Sequence, residues 1–219
     1  MPERVLSTRE LNRAVLARQL LLQRSTLEPE RAVAQLAGLQ TQYAPSGYLG
    51  LWSRLAGFRR DELTSALLAG RIVQAWMMRS TIHMLAAGDH APFTAAVREV
   101  RRQWWRRVVK PPPELDMPAV AAAVRGYLAD GPLKQAEIQA RLAADGLPAL
   151  AWSGVQLWVD LVRVPPAGTW GTPRAHVYGL AEHTVPAVRP APSDAEGQEV
   201  LVRRYLGAFG PAAARDIAS

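Results

Sequence analysis

Apolar positions in the first sixty residues recur at helical spacing. In "STRELNRAVLARQLLLQ", residues 7 to 23, Leu11, Val15, Leu16 and Leu20 form one stripe, and Ser7 followed by Glu10 reads as a capping box. The pattern predicts a helix that buries this face. Ser25 with Glu28 offers a second box, opening a helix over 28–41 on which Val33, Leu36, Ala37 and Gln40 fall at i, i+3, i+4 and i+7. That spacing turns Gln40 toward the core. Gln42 would lie about 200° further round, so the two amides converge only if the helix ends there. Pro45 and Gly47 favour such a break, and a third helix over 46–56 follows. Three short helices in this order predict a helix-turn-helix core.

Residues 61 to 69 read as a helix stopped by Gly70, and the β-branched and aromatic run from Ile72 to Leu85 predicts two short strands. A hairpin after three helices is the wing of a winged-helix unit. Alternation along its second strand puts Arg79, Thr81 and His83 on one face and Met78, Ile82 and Met84 on the other, as an exposed or pocket-facing polar row. A helix over 90–109 is ended by Pro111 to Pro113. Beyond it the order helix, turn, helix, turn, helix, strands begins again.

The expected fold is therefore mainly α with small β wings, an α+β chain of tandem winged helix-turn-helix domains. A first unit spans 1–110, a second 114–185, and a Pro-rich linker 186–197. Residues 198–219 open a third, incomplete unit. That last assignment rests on an internal repeat: "VRGYLADGPLKQAEI" (124–138) and "VRRYLGAFGPAAARDI" (202–217) align on Gly131-Pro132 and Gly210-Pro211, with Glu137-Ile138 matching Asp216-Ile217. The second copy stops at Ser219, so a truncated chain is expected.

Composition narrows the function. No apolar run approaches membrane length and no signal-peptide core opens the chain, which predicts a cytoplasmic protein without a membrane partner. There is no cysteine, hence no thiolate nucleophile or Cys-based zinc site. His83, His90, His176 and His183 are scattered, and no GxSxG, P-loop or GxGxxG occurs, so metal, hydrolase, NTPase and dinucleotide readings lose support. The net charge of +7 is carried almost wholly by arginine, Lys110 and Lys134 being the only lysines. High genomic GC content accounts for the Arg/Lys ratio but not for the excess of positive charge, which favours a polyanion. The cluster "RRQWWRR" (Arg101, Arg102, Trp104, Trp105, Arg106, Arg107) suits phosphate contact and base stacking, although one Trp could equally be core with the arginines as a solvated rim.

Taken together, "LNRAVLARQLLLQR", "AVAQLAGLQTQYAPSGYLGLWSRL", "MMRSTIHML" and "RYLGAFGPAAARDIAS" resemble the AlkZ-like DNA glycosylases, over essentially the whole chain. The resemblance implies tandem winged helices and a Gln-x-Gln or Gln-x-Asp catalytic element, matched here by Gln40-Thr41-Gln42. Thr41 departs from the hydrophobic residue expected between the glutamines. The Gln-x-Gln branch implies metal-free excision, without a cofactor, of bulky N7-alkylguanine adducts or interstrand crosslinks from double-stranded DNA, as self-resistance to a genotoxic natural product. On this reading Gln40 and Gln42 are catalytic, and Arg79, His83, Arg101, Arg102, Arg106 and Arg107 contact DNA. The protein is expected to act as a monomer through an open cleft rather than a closed base pocket. The alternative is a non-enzymatic winged-helix transcription regulator that reads the major groove.

Overall fold

Residues 5–218 are described by a computed structural model. Helix α1 (Thr8–Arg18) has the predicted cap, with Ser7 and Glu10 bonded reciprocally, yet it has no buried residue, and Leu11 and Leu16 are exposed. The expected burial of this face is thus corrected. Helix α1 packs on a late helix and lies outside the first helix-turn-helix. That core is built instead from α2 (Pro29–Gln35), α3 (Pro45–Trp52) and α4 (Arg60–Leu68), whose Val33, Leu51 and Leu63 share one apolar cluster. The expected Ser25–Glu28 box is also absent, because Ser25 Oγ accepts from the Leu27 N–H and Glu28 makes no side-chain cap.

Helix α2 ends six residues before the sequence pattern predicts. The Gly38 N–H bonds to the Val33 carbonyl and the Ala37 N–H to that of Ala34, closing a Schellman cap. Ala37, at φ 56°, takes the left-handed position that glycine usually fills, so the stop carries no glycine where one would be sought. The same pair of bonds closes the helices before Gly70 and Gly146.

After α2 the chain forms strand β1 (Leu39–Gln40), then α3 and α4, then the hairpin of β2 (Ile72–Trp76) and β3 (Ile82–Ala86). This is the winged-helix order, with β1 paired to β3 and β3 to β2. The long helix α5 (Ala87–Val109) follows, and the three prolines end it. A second copy runs α6 (Met117–Tyr127), β4 (Leu133–Lys134), α7 (Gln135–Ala144), α8 (Leu150–Val155), β5 (Leu161–Arg163) and β6 (Val177–Leu180), with β4 paired to β6 and β6 to β5.

The two wings are not independent. Strands β2 and β5 pair antiparallel, Gln74 with Arg163 and Ala75 with Val162, giving one six-stranded sheet in the order β1-β3-β2-β5-β6-β4. The expected exposed wing strand is therefore corrected: β3 is interior to this sheet and buried on both faces. At the junction the Gln74 amide donates to the Gly168 carbonyl at 2.9 Å and accepts from Arg163 at 3.3 Å, while Arg163 also donates to His176 Nδ1 at 2.7 Å. Trp170, from the long β5–β6 connection, meets Tyr48 edge-on and stacks under Arg60, so the second copy also grips the first one's helices.

Helix α9 (Asp194–Phe209) begins within the predicted linker and lies along α5. Gly197 permits the contact, since a Cβ there would fall 2.5 Å from the Pro92 carbonyl oxygen and 2.7 Å from the Ala96 nitrogen. Arg204 then reaches the buried Asp89 carboxylate at 2.7 Å. Helix α10 (Ala214–Ala218) starts as α7 does, with Asp216 accepting from the Ala213 N–H as Glu137 accepts from Lys134. The repeat read from sequence thus extends to its cap.

Gly197→Ala is expected to destabilise the protein by about 1–3 kcal/mol, because backbone on α5 cannot yield as a side chain would. Thermal unfolding measures it, and an unchanged Tm would show that the α5–α9 crossing relaxes freely.

Candidate active site on the edge strand

Gln40 does not continue a helical stripe toward the core, as the spacing of Val33, Leu36 and Ala37 suggests. It lies in β1, and the burial alternates as in a strand: Gln40 exposed, Thr41 fully buried, Gln42 exposed. The two amides are exposed on either side of the buried Thr41, whose N–H still bonds to β3, so the alternation of β1 runs past the strand's end with no helix between them. Period-two alternation across Leu39-Gln40-Thr41-Gln42 carried this signal, but the longer helical pattern masked it. Both side chains open to solvent, which agrees with an open cleft rather than a closed pocket.

Thr41 is the residue the flanking amides depend on. Its N–H bonds to the Ile82 carbonyl at 2.8 Å, and its methyl packs where a Cβ on Gly47 would come within 2.8 Å. Its hydroxyl is buried without a hydrogen-bond partner. The threonine therefore acts here through its methyl group, as a small apolar residue would. That explains how the middle position can depart in chemistry and keep its place.

The two glutamines differ in freedom. Gln42 Oε1 accepts from the Ile82 N–H at 3.1 Å, taking over the ladder where β1 stops. This bond orients its amide, with the NH2 group and one lone pair of the oxygen left over. The Gln40 side chain makes no hydrogen bond among the described residues, while its backbone carbonyl accepts from Ser46 Oγ at 3.1 Å.

Register brings His83 beside this pair: it lies opposite Gln40 on β3 and opposite Ala75 on β2, so all three point to the side covered by α5. Its Nδ1 lies 3.0 Å from the Thr81 carbonyl. Burial holds its pKa below the ordinary 6.5, partly opposed by that bond and helped by the charges of Arg79 and Arg101, so the imidazole is neutral at physiological pH. Arg79 is exposed at the hairpin tip, where Arg79 and Ser80 both have left-handed φ near 52–53°. It is a turn residue, not a member of a strand face with Thr81 and His83.

The "RRQWWRR" residues divide by helical phase. Arg101 is buried, donates to the Trp76 carbonyl at 2.9 Å, and has its pKa pulled down by burial to about 10. Its Nε and Nη2 lack partners, and the residue lines a small cavity of about 10 Å³ together with His90, Thr94, Gln156, Asp160 and the apolar Met77 and Leu161. Arg102 donates to the Leu157 carbonyl and, with Arg106, lies over the Trp158 ring. Trp105 is core, meeting Trp158 edge-on and donating to Ser153 Oγ. Trp104, Arg106 and Arg107 are exposed. The structure therefore brings Gln40, Gln42, His83, Arg79 and Arg101 to one region, and sets Arg102 and Arg106 against the second copy.

Among the described residues no three His, Asp or Glu side chains gather as a metal site requires, and no helix is long and apolar enough to cross a membrane.

Residues 33–219 match the family described as DNA glycosylase AlkZ-like. The chain is 25% identical over 223 residues to the interstrand DNA cross-link repair glycosylase of Streptomyces sahachiroi, covering 87% of this chain and 56% of that protein. It also shares the fold of the solved Streptomyces sahachiroi DNA glycosylase AlkZ, at a TM-score of 0.78 and 23% identity over 95% of this chain and 59% of the other. It thus spans little more than half the length of the relatives it matches.

Two outcomes follow from the site's packing. Thr41→Val should raise stability by about 1 kcal/mol by removing an unpaired buried hydroxyl, read from the denaturation midpoint; a loss would mean that the hydroxyl is satisfied in solution. His83, His90 and His176 all have folded pKa values held below 6.5, chiefly by burial, so the unfolded chain binds more protons below that pH. Their contribution is present above pH 6.5 and is lost as pH falls through the folded values. Melts from pH 7.5 to 5 should show Tm falling, with a smaller fall in His83→Gln. An unchanged Tm across that range would show that the three rings titrate alike in both states.

Proposed function

Because the chain belongs to the AlkZ-like DNA glycosylase family, we propose that it hydrolyses the N-glycosidic bond of bulky N7-alkylguanine adducts or interstrand crosslinks in double-stranded DNA. Its role would be self-resistance to a genotoxic natural product, exercised as a monomer in the cytoplasm. The observation that carries this reading is the edge strand itself: two exposed amides flank an inward-turned Thr41, with His83 opposite Gln40 and Arg79 and Arg101 close to that His83.

N7 alkylation leaves guanine cationic, so the departing base needs no acid. What remains is to place a water at C1′ and to tolerate an oxocarbenium-like transition state. Two neutral amides can do the first by orientation, without being strong bases. Gln42, held by the Ile82 N–H, is the fixed member, and its remaining lone pair and NH2 group set the direction of the water. Gln40, free of side-chain bonds, accepts from that water. Substrate phosphates add stabilisation of the developing positive charge, and neutral His83 does not oppose it.

DNA contact falls to the cations that remain exposed, Arg79 and Arg107 first, with Arg106 beside Trp158. Arg101, His83 and Arg102 act from within, positioning the hairpin and shaping the field. The division into units at 1–110 and 114–185 is kept as a functional reading, chemistry in the first and support in the second, while the expected 186–197 linker is shortened by helix α9, which starts at Asp194.

A regulator reading the major groove finds less support. Helix α8, in the recognition position of the second copy, buries Ala151, Trp152, Gly154 and Val155, and its counterpart α4 opens with exposed Asp61 and Glu62.

Single-turnover release of a defined N7-guanine adduct tests the proposal. Gln40→Ala and Gln42→Ala are each expected to slow excision by about 10²-fold, the scale of one positioned group in water activation. Full rates in both variants would sink the assignment.

A further inference from the structure

Helix α5 carries an apolar stripe that nothing among the described residues covers. Val100, Trp104 and Val108 are 63%, 43% and 55% exposed. At i, i+4 and i+8 they span about 80° of the helix circumference, given about 100° per residue. Phe93 and Val97 fall in the same sector one to two turns earlier, and there they pack against Val73, Ala75 and Leu85 of β2 and β3. The stripe is thus the core-facing surface of α5 carried past the end of the sheet. Trp105 and Arg102, at different phases, are engaged with the second copy, so the stripe does not turn that way.

Hydrogen bonds fix where the overhang begins. Arg101 donates to the Trp76 carbonyl, Trp76 pairs with Ile82, and the Ile82 N–H is given to Gln42. Two strand spacings of about 4.8 Å separate that anchor from Gln42. Trp104 lies three residues, about 4.5 Å of helix rise, beyond. Register puts Gln40 on the same side of the sheet as α5. From Val100 to Lys110 the segment carries Arg101, Arg102, Arg106, Arg107 and Lys110 and no carboxylate.

We propose that this stripe, centred on Trp104, is the wall on which the apolar substituent of an N7-modified guanine rests while Arg107 and Lys110 beside it take phosphates. The inference rests on the glycosylase reading and adds a specificity-determining residue to it: Trp104, as the surface that favours a large, flat or aliphatic N7 group. The cations select a polyanion, but the stripe between them offers no donor except the indole N–H. Whatever touches it is the non-phosphate part of the ligand. Guanine N7 faces the major groove, so its substituent projects away from the stack toward the protein. An indole face suits such a group.

Binding to three duplexes decides the matter: unmodified, N7-methylguanine, and a polycyclic aromatic N7-guanine adduct. It is measured in a Gln40→Ala, Gln42→Ala background so that the substrate persists, with Trp104 intact, Trp104→Phe or Trp104→Ala. With Trp104 the polycyclic duplex should bind about tenfold tighter than the methylated one, and alanine should remove most of that preference while phenylalanine keeps most of it. Binding of unmodified DNA should not change. A preference untouched by alanine, or an equal loss on all three duplexes, would overturn the assignment. Adduct release by the chain with both glutamines is scored separately. No release with a Trp104-dependent preference sinks the reaction and keeps the wall; release without that preference does the reverse.

Discussion

The pairing of β2 with β5 is the contact on which the rest of the molecule hangs. A three-stranded winged-helix sheet has two edges of unpaired backbone groups, and the hairpin edge is the one that would invite non-specific pairing here. Here each copy covers the other's edge, so the sheet order reads alike from either end. The join buries two polar side chains, Gln74 and Arg163. They are tolerated because they bond to each other, to the Gly168 carbonyl and to His176. Gly168 is needed for this, since a Cβ there would lie 2.3 Å from Arg163 Cδ.

That join sends β1 and β4 to opposite ends of the sheet, where they occupy equivalent places. Leu39 and Gln40 lie opposite Met84 and His83, and Leu133 and Lys134 lie opposite Tyr178 and Val177. Lys134 therefore stands where Gln40 stands, and two residues on, where the first copy has Gln42 in a bend, the second has Ala136 already inside α7. The second copy has the scaffold without the amides. Its recognition-position helix is buried against Trp105 instead, which makes it a brace for α5. The same architecture is thus used twice, once carrying the two glutamines and once bracing α5.

Much of the fold was legible because local rules sufficed. The Ser7–Glu10 cap, the hairpin of β2 and β3, the proline stop after α5 and the Gly-Pro repeat each depend on a few neighbouring residues. The misreadings have equally definite causes. The α2 stop escaped notice because Ala37, not a glycine, takes the left-handed position. Leu11 and Leu16 fit a buried stripe by period, but period does not say whether a partner surface exists. Strand β3 looked half-exposed because its polar His83 was assumed to face water, whereas α5 covers that side.

For the site, the sequence by itself determined the chemical inventory: two glutamines one residue apart, an arginine-rich helix, no cysteine, and a basic chain suited to a polyanion. It could not determine which way those groups point, because direction here is decided by non-local hydrogen bonds. The Ile82 backbone, more than forty residues downstream of the α2 stop, sets both Thr41 and Gln42. The Trp76 carbonyl takes Arg101 out of solvent and leaves Trp104 in it. Identity and spacing are properties of the chain; convergence of Gln40, Gln42 and Arg79 beside a buried His83 exists only once the edge strand is docked.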